Sequence, residues 1–305
     1  MTDYRQLLAY ADADLARVDP LVMNLLVAKS IPCLSELDIP FYERMADQWV
    51  EDIQQRLPAA ERVFQLTPQI WKNDVNFFRL GVLCGYLEHD IGVAYNEDQQ
   101  YLNDIFYTNA SDLFLNGVMS TRRGTCANMA TLHVAIGWRL GWPVSLASVK
   151  SHYICRYDDG NVTHNIEAIQ LGYGGFKSDP DAYLIEKYEL PPKAISSGSD
   201  LRVVNPRELL GILLGFRGRH MRDTGYSEEA EHDYLLARHL FPLNRKLYIN
   251  TASVAIEQSK RLFEPGELGP PESLAEVWNN QYLGYSQAVR NPAGNIAIDT
   301  VTYTT

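Results

Sequence analysis

The sequence predicts an α+β protein: a helical N-terminal region, a central helix packed on a small antiparallel sheet, and a helical C-terminal region. Three observations carry this. Apolar residues recur at helical spacing through the first third of the chain and again after Pro206. A long apolar segment, Cys126 to Leu140, keeps that spacing and then meets Gly141 and Pro143. From residue 144 to 169 the pattern changes to short β-type runs around an Asp158-Asp159-Gly160-Asn161 turn.

The chain has 305 residues, enough for a sizeable core in one or two domains. Hydrophobic residues make up 46% and charged residues 21%, which excludes extensive disorder. The formal net charge of −11 argues against nucleic acid or an anionic membrane as partner. Arg122-Arg123 is too short a basic cluster to track phosphates. No apolar stretch approaches the ~20 residues that span a bilayer. The first nineteen residues carry Asp3, Asp12, Asp14 and Asp19 instead of a basic segment followed by an apolar run. Cys33, Cys84, Cys126 and Cys155 are widely spaced and form no CxxC pair, so we read them as reduced thiols in a cytoplasmic protein.

Leu7, Leu8, Ala11 and Leu15 share one helical face, and Leu21, Leu25, Leu26 and Ala28 another. Met45, Trp49, Ile53 and Leu57 form a core stripe, with Pro58 and Pro68 expected to close that region. Asn76 to His89 reads as an apolar helix, and Asn96 to Gln100 as a polar loop. Residues 101–123 read as a loop with helical turns. The helix from Cys126 keeps Met129, Leu132, Ala135, Ile136 and Leu140 in register, with Gly141 as its C-cap. Val144–Val149, His152–Tyr157 and Val162–Ile169 are the three strand candidates. Gly172 to Ser199, with its YGG, SDPD and PP groups, reads as a long surface loop. Helices are expected over Arg207–Arg222, Ser227–Leu240 and Arg245–Leu262. Val277 to Val289 is a short helix candidate, and the final Thr/Ile/Tyr run an added strand or a tail.

Chemistry concentrates around Cys126. A cysteine in the first turn of a helix meets unpaired N–H groups and the positive end of the dipole, which favour thiolate. The same groups can donate to an oxyanion. Gly124-Thr125 before it lets backbone and substrate approach closely. Arg122 and Arg123 can add positive potential. Taken alone, a cysteine opening a core helix is more often inert. His152 opens a strand, sharing a face with Ile154 and Arg156; Cys155 points the other way and reads as a packed hydrophobe. A hairpin at Asp159-Gly160 returns residues 165–167 toward His152, with Asn165 and Glu167 on one face. Either can hold the imidazole; Glu167 can also stabilise an imidazolium by charge and is preferred. Cys126, His152 and Glu167 thus offer a nucleophile, a general base and acid, and an orienting carboxylate, with Asn165 as the alternative orienting residue. Asn109 and Asn116 read as packing or capping residues, Trp138 and Trp142 as core. His133 reads as a satisfied core histidine. His232 and His239 lack a third strong ligand, and Gly172–Gly175 opens no phosphate-binding helix, so no metal and no cofactor is expected.

These motifs (G-T-C at a helix start, R-L-G-W-P at its end, S-H-Y at a strand start and N-I-E-A after the hairpin) resemble the transglutaminase-like superfamily. The resemblance is strongest over 113–175. It implies a papain-like core with a Cys-His-Asp triad in this chain order, with Glu167 standing where aspartate is usual. Leu80–Asp104 and the downstream helices resemble a bacterial branch in which a tetratricopeptide-like region follows the core. Gly225–Ala230 resembles the turn within such a repeat, and Pro242–Asn244 the turn between repeats. One repeat and a fragment cannot form a separate solenoid. The expected organisation is a core with its helical N-terminal subdomain over 1–200, tetratricopeptide-like helices over 201–262 and an extension over 263–305. The expected function is thiol-dependent acyl transfer or hydrolysis on an amide or thioester, borne by a protein, peptide or acyl carrier. The alternatives are an interaction module on an inactive core of this type, and an amide-forming tailoring enzyme of natural-product biosynthesis.

Overall fold

The computed structural model describes residues 3–100, 107–150, 152–168 and 178–262. The chain opens with two single helical turns, α1 (Arg5–Leu8) and α2 (Asp12–Leu15), which bury Leu7 and Leu15. In α3 (Pro20–Lys29), Asp19 accepts the Leu21 N–H at 2.7 Å and Pro20 supplies a preset first turn. Nearly the whole helix is buried, including Leu21, Met23, Leu25, Leu26 and Val27.

α4 (Ile39–Leu66) runs straight through Pro58, where the sequence predicts a stop. A proline cannot bond the carbonyl four residues back. Here that turn, Gln54 to Arg56 and Pro58, is exposed, so the freed carbonyl is open to solvent and is not buried unpaired. Only Ala46, Trp49 and Ile53 of this helix are fully buried. α5 (Val75–Gly85) is capped by Asp74, whose Oδ1 accepts the N–H groups of Asn76 and Phe77 at 2.8 and 3.0 Å. β1 (Ala94–Tyr95) and α6 (Glu97–Gln100) follow. α7 (Leu115–Thr121) lacks a cap of its own; Asn24 Oδ1, from α3, accepts the Leu115 N–H at 2.9 Å instead. Arg122 then takes a left-handed conformation (φ 61°), and β2 (Arg123–Gly124) pairs in parallel with β1.

α8 (Cys126–Arg139) lies on the sheet formed by β3 (Val144–Val149), β4 (His152–Asp158) and β5 (Thr163–Ile166). The order is β3-β4-β5 and both pairings are antiparallel, as expected. Strand alternation sorts the faces. Leu146, Tyr153, Cys155, Tyr157 and Ile166 join the core shared with α8, while Ala147, Val149 and Ile154 face a smaller cluster with Leu184, Leu190 and Leu201.

That second cluster corrects the loop expected over 172–199. From 178 on, the segment forms α9 (Asp181–Lys187) and α10 (Pro192–Ser196). Its prolines stand at helix starts: Pro180 and Pro191 are N-caps and Pro192 opens α10, so they begin helices and do not prevent them. Residues 172–177 of that segment lie outside the described residues. So do 101–106, and so do the helix and strand candidates beyond 263.

α11 (Pro206–Asp223), α12 (Ser227–Leu240) and α13 (Arg245–Leu262) lie within a residue of where helical spacing puts them. Asn205 and Glu208 form a reciprocal cap on α11, each bond 2.9 Å. α11 packs on α12 and also on α3, and Leu210, Leu213 and Leu214 belong to the same apolar cluster as α3 and α8. Among the described residues, no helix is long and apolar enough to cross a membrane.

Candidate functional site

Local capping places Cys126. Thr125 is extended and caps α8: its Oγ1 accepts the Ala127 N–H at 3.2 Å and donates to the Asp112 carbonyl at 2.6 Å. Asn128 Oδ1 accepts the Thr125 N–H at 2.8 Å, while its amide donates to Ser111 and Phe114 carbonyls. The turn before α8 is therefore sewn to the loop before α7, and Cys126 occupies the first helical position with a partly exposed side chain. Gly124 has no room for a side chain: a Cβ there would lie 2.6 Å from Met129 Cγ and 2.7 Å from Asn128 Oδ1.

His152 is buried at the start of β4, and its Nε2 lies 2.9 and 3.0 Å from the two carboxylate oxygens of Glu167. Cys126 acts on the same imidazole through a hydrogen bond and charge. The register explains why a glutamate does this. Cys155 faces Ile166, so one further step puts Glu167 beside Ile154, two residues short of His152 on the same face. Such diagonal neighbours lie about 7–8 Å apart, a gap suited to a long carboxylate.

Asn165, the alternative orienting residue, is used elsewhere. Its Oδ1 accepts from Arg156 Nη1 at 2.8 Å, and its amide donates to the Asp179 carbonyl (2.9 Å) and to Asp181 (2.8 Å). Arg156 also grips both Asp181 oxygens, at 2.7 and 3.1 Å. This network anchors α9 to the sheet and makes no contact with His152 among its described bonds. Through α9 it carries Tyr188, whose ring stacks on His152 (centroids 5.9 Å, 23°) and whose hydroxyl donates to Glu167 at 3.3 Å.

The electrostatics distinguish Cys126 from the other thiols. Burial pushes the Cys84 and Cys155 thiols far up, which fixes them as neutral packing groups. Burial acts on Cys126 too, but the hydrogen bond and charge of His152, the charge of Lys246 and a hydrogen bond from Tyr107 outweigh it and hold the thiol below its usual value. Burial lowers the basicity of His152, yet Cys126 and Glu167 overcome this and raise it to about 9. Both directions favour the thiolate and imidazolium forms of the pair over the neutral ones.

Arg122 and Arg123 take no part in this. Arg122 stacks on Trp49 at 4.9 Å and bonds the Met119 carbonyl, and Arg123 bonds the Gly92 and Arg122 carbonyls. The cation beside Cys126 is Lys246 of α13, 5.2 Å from the Tyr153 ring centroid. Lys246, Tyr107 and Tyr188 escape sequence reasoning because each reaches the site from a segment far from Cys126 or His152. His164 bonds Asp74 at 2.9 Å and ties the hairpin to α5. His133 bonds the Met129 carbonyl through Nδ1, but its buried Nε2 has no partner among the described residues. Asn109 caps the turn before α7, its Oδ1 accepting the Ser111 N–H at 3.0 Å. His232 and His239 are exposed on α12, and no metal-binding cluster of His, Cys, Asp or Glu exists among the described residues.

A thiol at a helix start, an imidazole on a strand and a carboxylate after the hairpin are the parts of a nucleophilic acyl-transfer site. A family model described as the transglutaminase-like superfamily matches residues 41–215, a span that includes all three residues. No curated protein and no solved structure matches the chain. With more than half of its length under that family model, the chain belongs to the transglutaminase-like superfamily.

Proposed function

We propose that the protein is a thiol enzyme that transfers or hydrolyses the acyl group of an amide or thioester. The observation that carries this is His152, held on one nitrogen by both oxygens of Glu167 and electrostatically paired with Cys126. The Cys126 thiolate attacks the carbonyl, forming an Sγ–C bond. The C–N or C–S bond to the leaving group breaks, and the imidazolium of His152 gives it a proton. Water or an amine then attacks the thioester, passes a proton to His152 and releases Cys126. The Cys126 N–H, the first-turn donor that the Thr125 cap does not use, stabilises the oxyanion. Glu167 keeps the ring oriented and its charge balanced.

The substrate classes that suit this chemistry are a peptide or protein amide and a carrier-borne acyl thioester. The same reading places the chain in the bacterial branch whose core precedes tetratricopeptide-like helices. The run α11–α13, with its tight turn at Gly225 (φ 91°), supports that placement.

Alkylation by iodoacetamide at pH 7 tests the reading, with each cysteine followed by peptide mapping. Cys126 is expected to label at least tenfold faster than the exposed Cys33, because the thiolate is the reacting form. Labelling of Cys126 no faster than Cys33 would leave the interaction-module alternative in its place.

A further inference from the structure

We infer that α11 positions the proposed nucleophile from outside the central helix and sheet: Asp223 and His220 pin the backbone of Tyr107 and so hold its hydroxyl against Cys126. The inference rests on the reading of Cys126 as nucleophile and adds the residues that keep it poised.

Tyr107 belongs to a connection, not to a helix or strand. Backbone groups in such segments usually bond to water or to their own turn. Here both go to one helix. The Tyr107 N–H donates to Asp223 Oδ2 at 2.9 Å, and its carbonyl lies 2.9 Å from His220 Nδ1. Residues three apart share a helix face, so the two contacts form a single clamp. Asp223 is itself fixed: Arg219 Nε donates to it at 2.7 Å, and Arg222 donates at 2.7 and 2.9 Å. Its side chain is 2% exposed. The Arg219 guanidinium also lies over the Tyr107 ring, 5.5 Å from the centroid.

With backbone and ring both fixed, the hydroxyl is held in place to act on Cys126: its hydrogen bond is one of the influences that keep that thiol below its usual value. A phenol O–H donating to a thiolate is a charge-assisted bond that favours the anion over the thiol. Asp223 and His220 never touch Cys126. They are positioning residues acting through Tyr107, and they make α11 part of the site.

The test is the pH dependence of Cys126 alkylation by iodoacetamide in the full chain. Tyr107→Phe removes the hydroxyl, and Asp223→Ala removes one jaw of the clamp. Both are expected to move the alkylation midpoint upward, so that the rate at pH 6.5 falls about three- to tenfold while the rate at high pH stays within about twofold. Because both act on one hydrogen bond, the double variant should fall no further than the lower single variant. If Asp223→Ala unfolds the chain, the buried Cys84 and Cys155 become labelled; His220→Phe, which removes only the other jaw, must then show the upward shift. Unshifted midpoints in Tyr107→Phe, or in a folded clamp variant, would overturn the inference, as would fully additive losses. An ordinary thiol midpoint in the unaltered protein would instead overturn the proposed function. The two failures are separate, since a shift between variants is read whatever the starting midpoint.

Discussion

The contact between His152 and Glu167 spans a diagonal of the hairpin, so side-chain length decides whether it forms. Glu167→Asp shortens the reach by one methylene. It is expected to cut Cys126 alkylation at neutral pH by about tenfold, the equivalent of about 1.4 kcal/mol. Glu167→Gln keeps the length and removes the charge. His152 is raised to about 9 partly by that charge, so its titration, followed by NMR of the imidazole, should fall by at least one unit. The rate rises with pH as Cys126 ionises, below the ordinary thiol range, and declines as His152 loses its proton near 9. Glu167→Gln should therefore pull in the alkaline limb, and an unmoved limb would contradict the assignment. Cys126, His152 and Glu167 are legible in the sequence because chain order and strand alternation bring them near one another. The choice between Glu167 and Asn165 is not legible, because alternation puts both on one face. In the structure Arg156, Asp179 and Asp181 occupy the Asn165 amide, which periodicity does not reveal.

Capping controls the helix that carries Cys126. Thr125→Ala removes a bond at each end of its hydroxyl and should cost about 1–2 kcal/mol in urea unfolding. Gly124→Ala forces a Cβ into Asn128 and Met129 and should cost about 1–3 kcal/mol, with slower Cys126 labelling as the turn shifts. A destabilised chain with unchanged labelling would separate the turn from the thiol. α8, α11, α12, α13 and the hairpin follow directly from spacing and turn residues. α4 does not, because the rule that proline ends helices assumes the freed carbonyl has no other partner. At Pro58 the helix is exposed, so the freed carbonyl faces solvent. The helices α9 and α10 are hidden by a related effect, since proline marks a helix start as well as a stop.

One apolar cluster runs from α3 through α8 to α11, and the downstream helices also reach the site through Tyr107, Lys246 and the Asn244 bond to Tyr153 at 2.8 Å. A chain cut after residue 200 exposes the surface that Leu210, Leu213 and Leu214 cover, each worth about 1.5–3 kcal/mol when buried. The fragment 1–200 is expected to lack a cooperative unfolding transition by circular dichroism. A sharp transition would show that the core stands alone. Such long-range packing is invisible to periodicity, which reports that a face is apolar but not what covers it. Whether Cys126 is an acyl-accepting nucleophile served by His152 is decided by intact-mass spectrometry after mixing with a small phenyl thioester. An acyl adduct is expected that maps to Cys126, forms within the first turnover and is discharged faster by an added amine. No such adduct is expected in Cys126→Ala, and at least a hundredfold slower formation in His152→Ala. Acylation that maps elsewhere, or that proceeds equally fast without His152, would contradict that role.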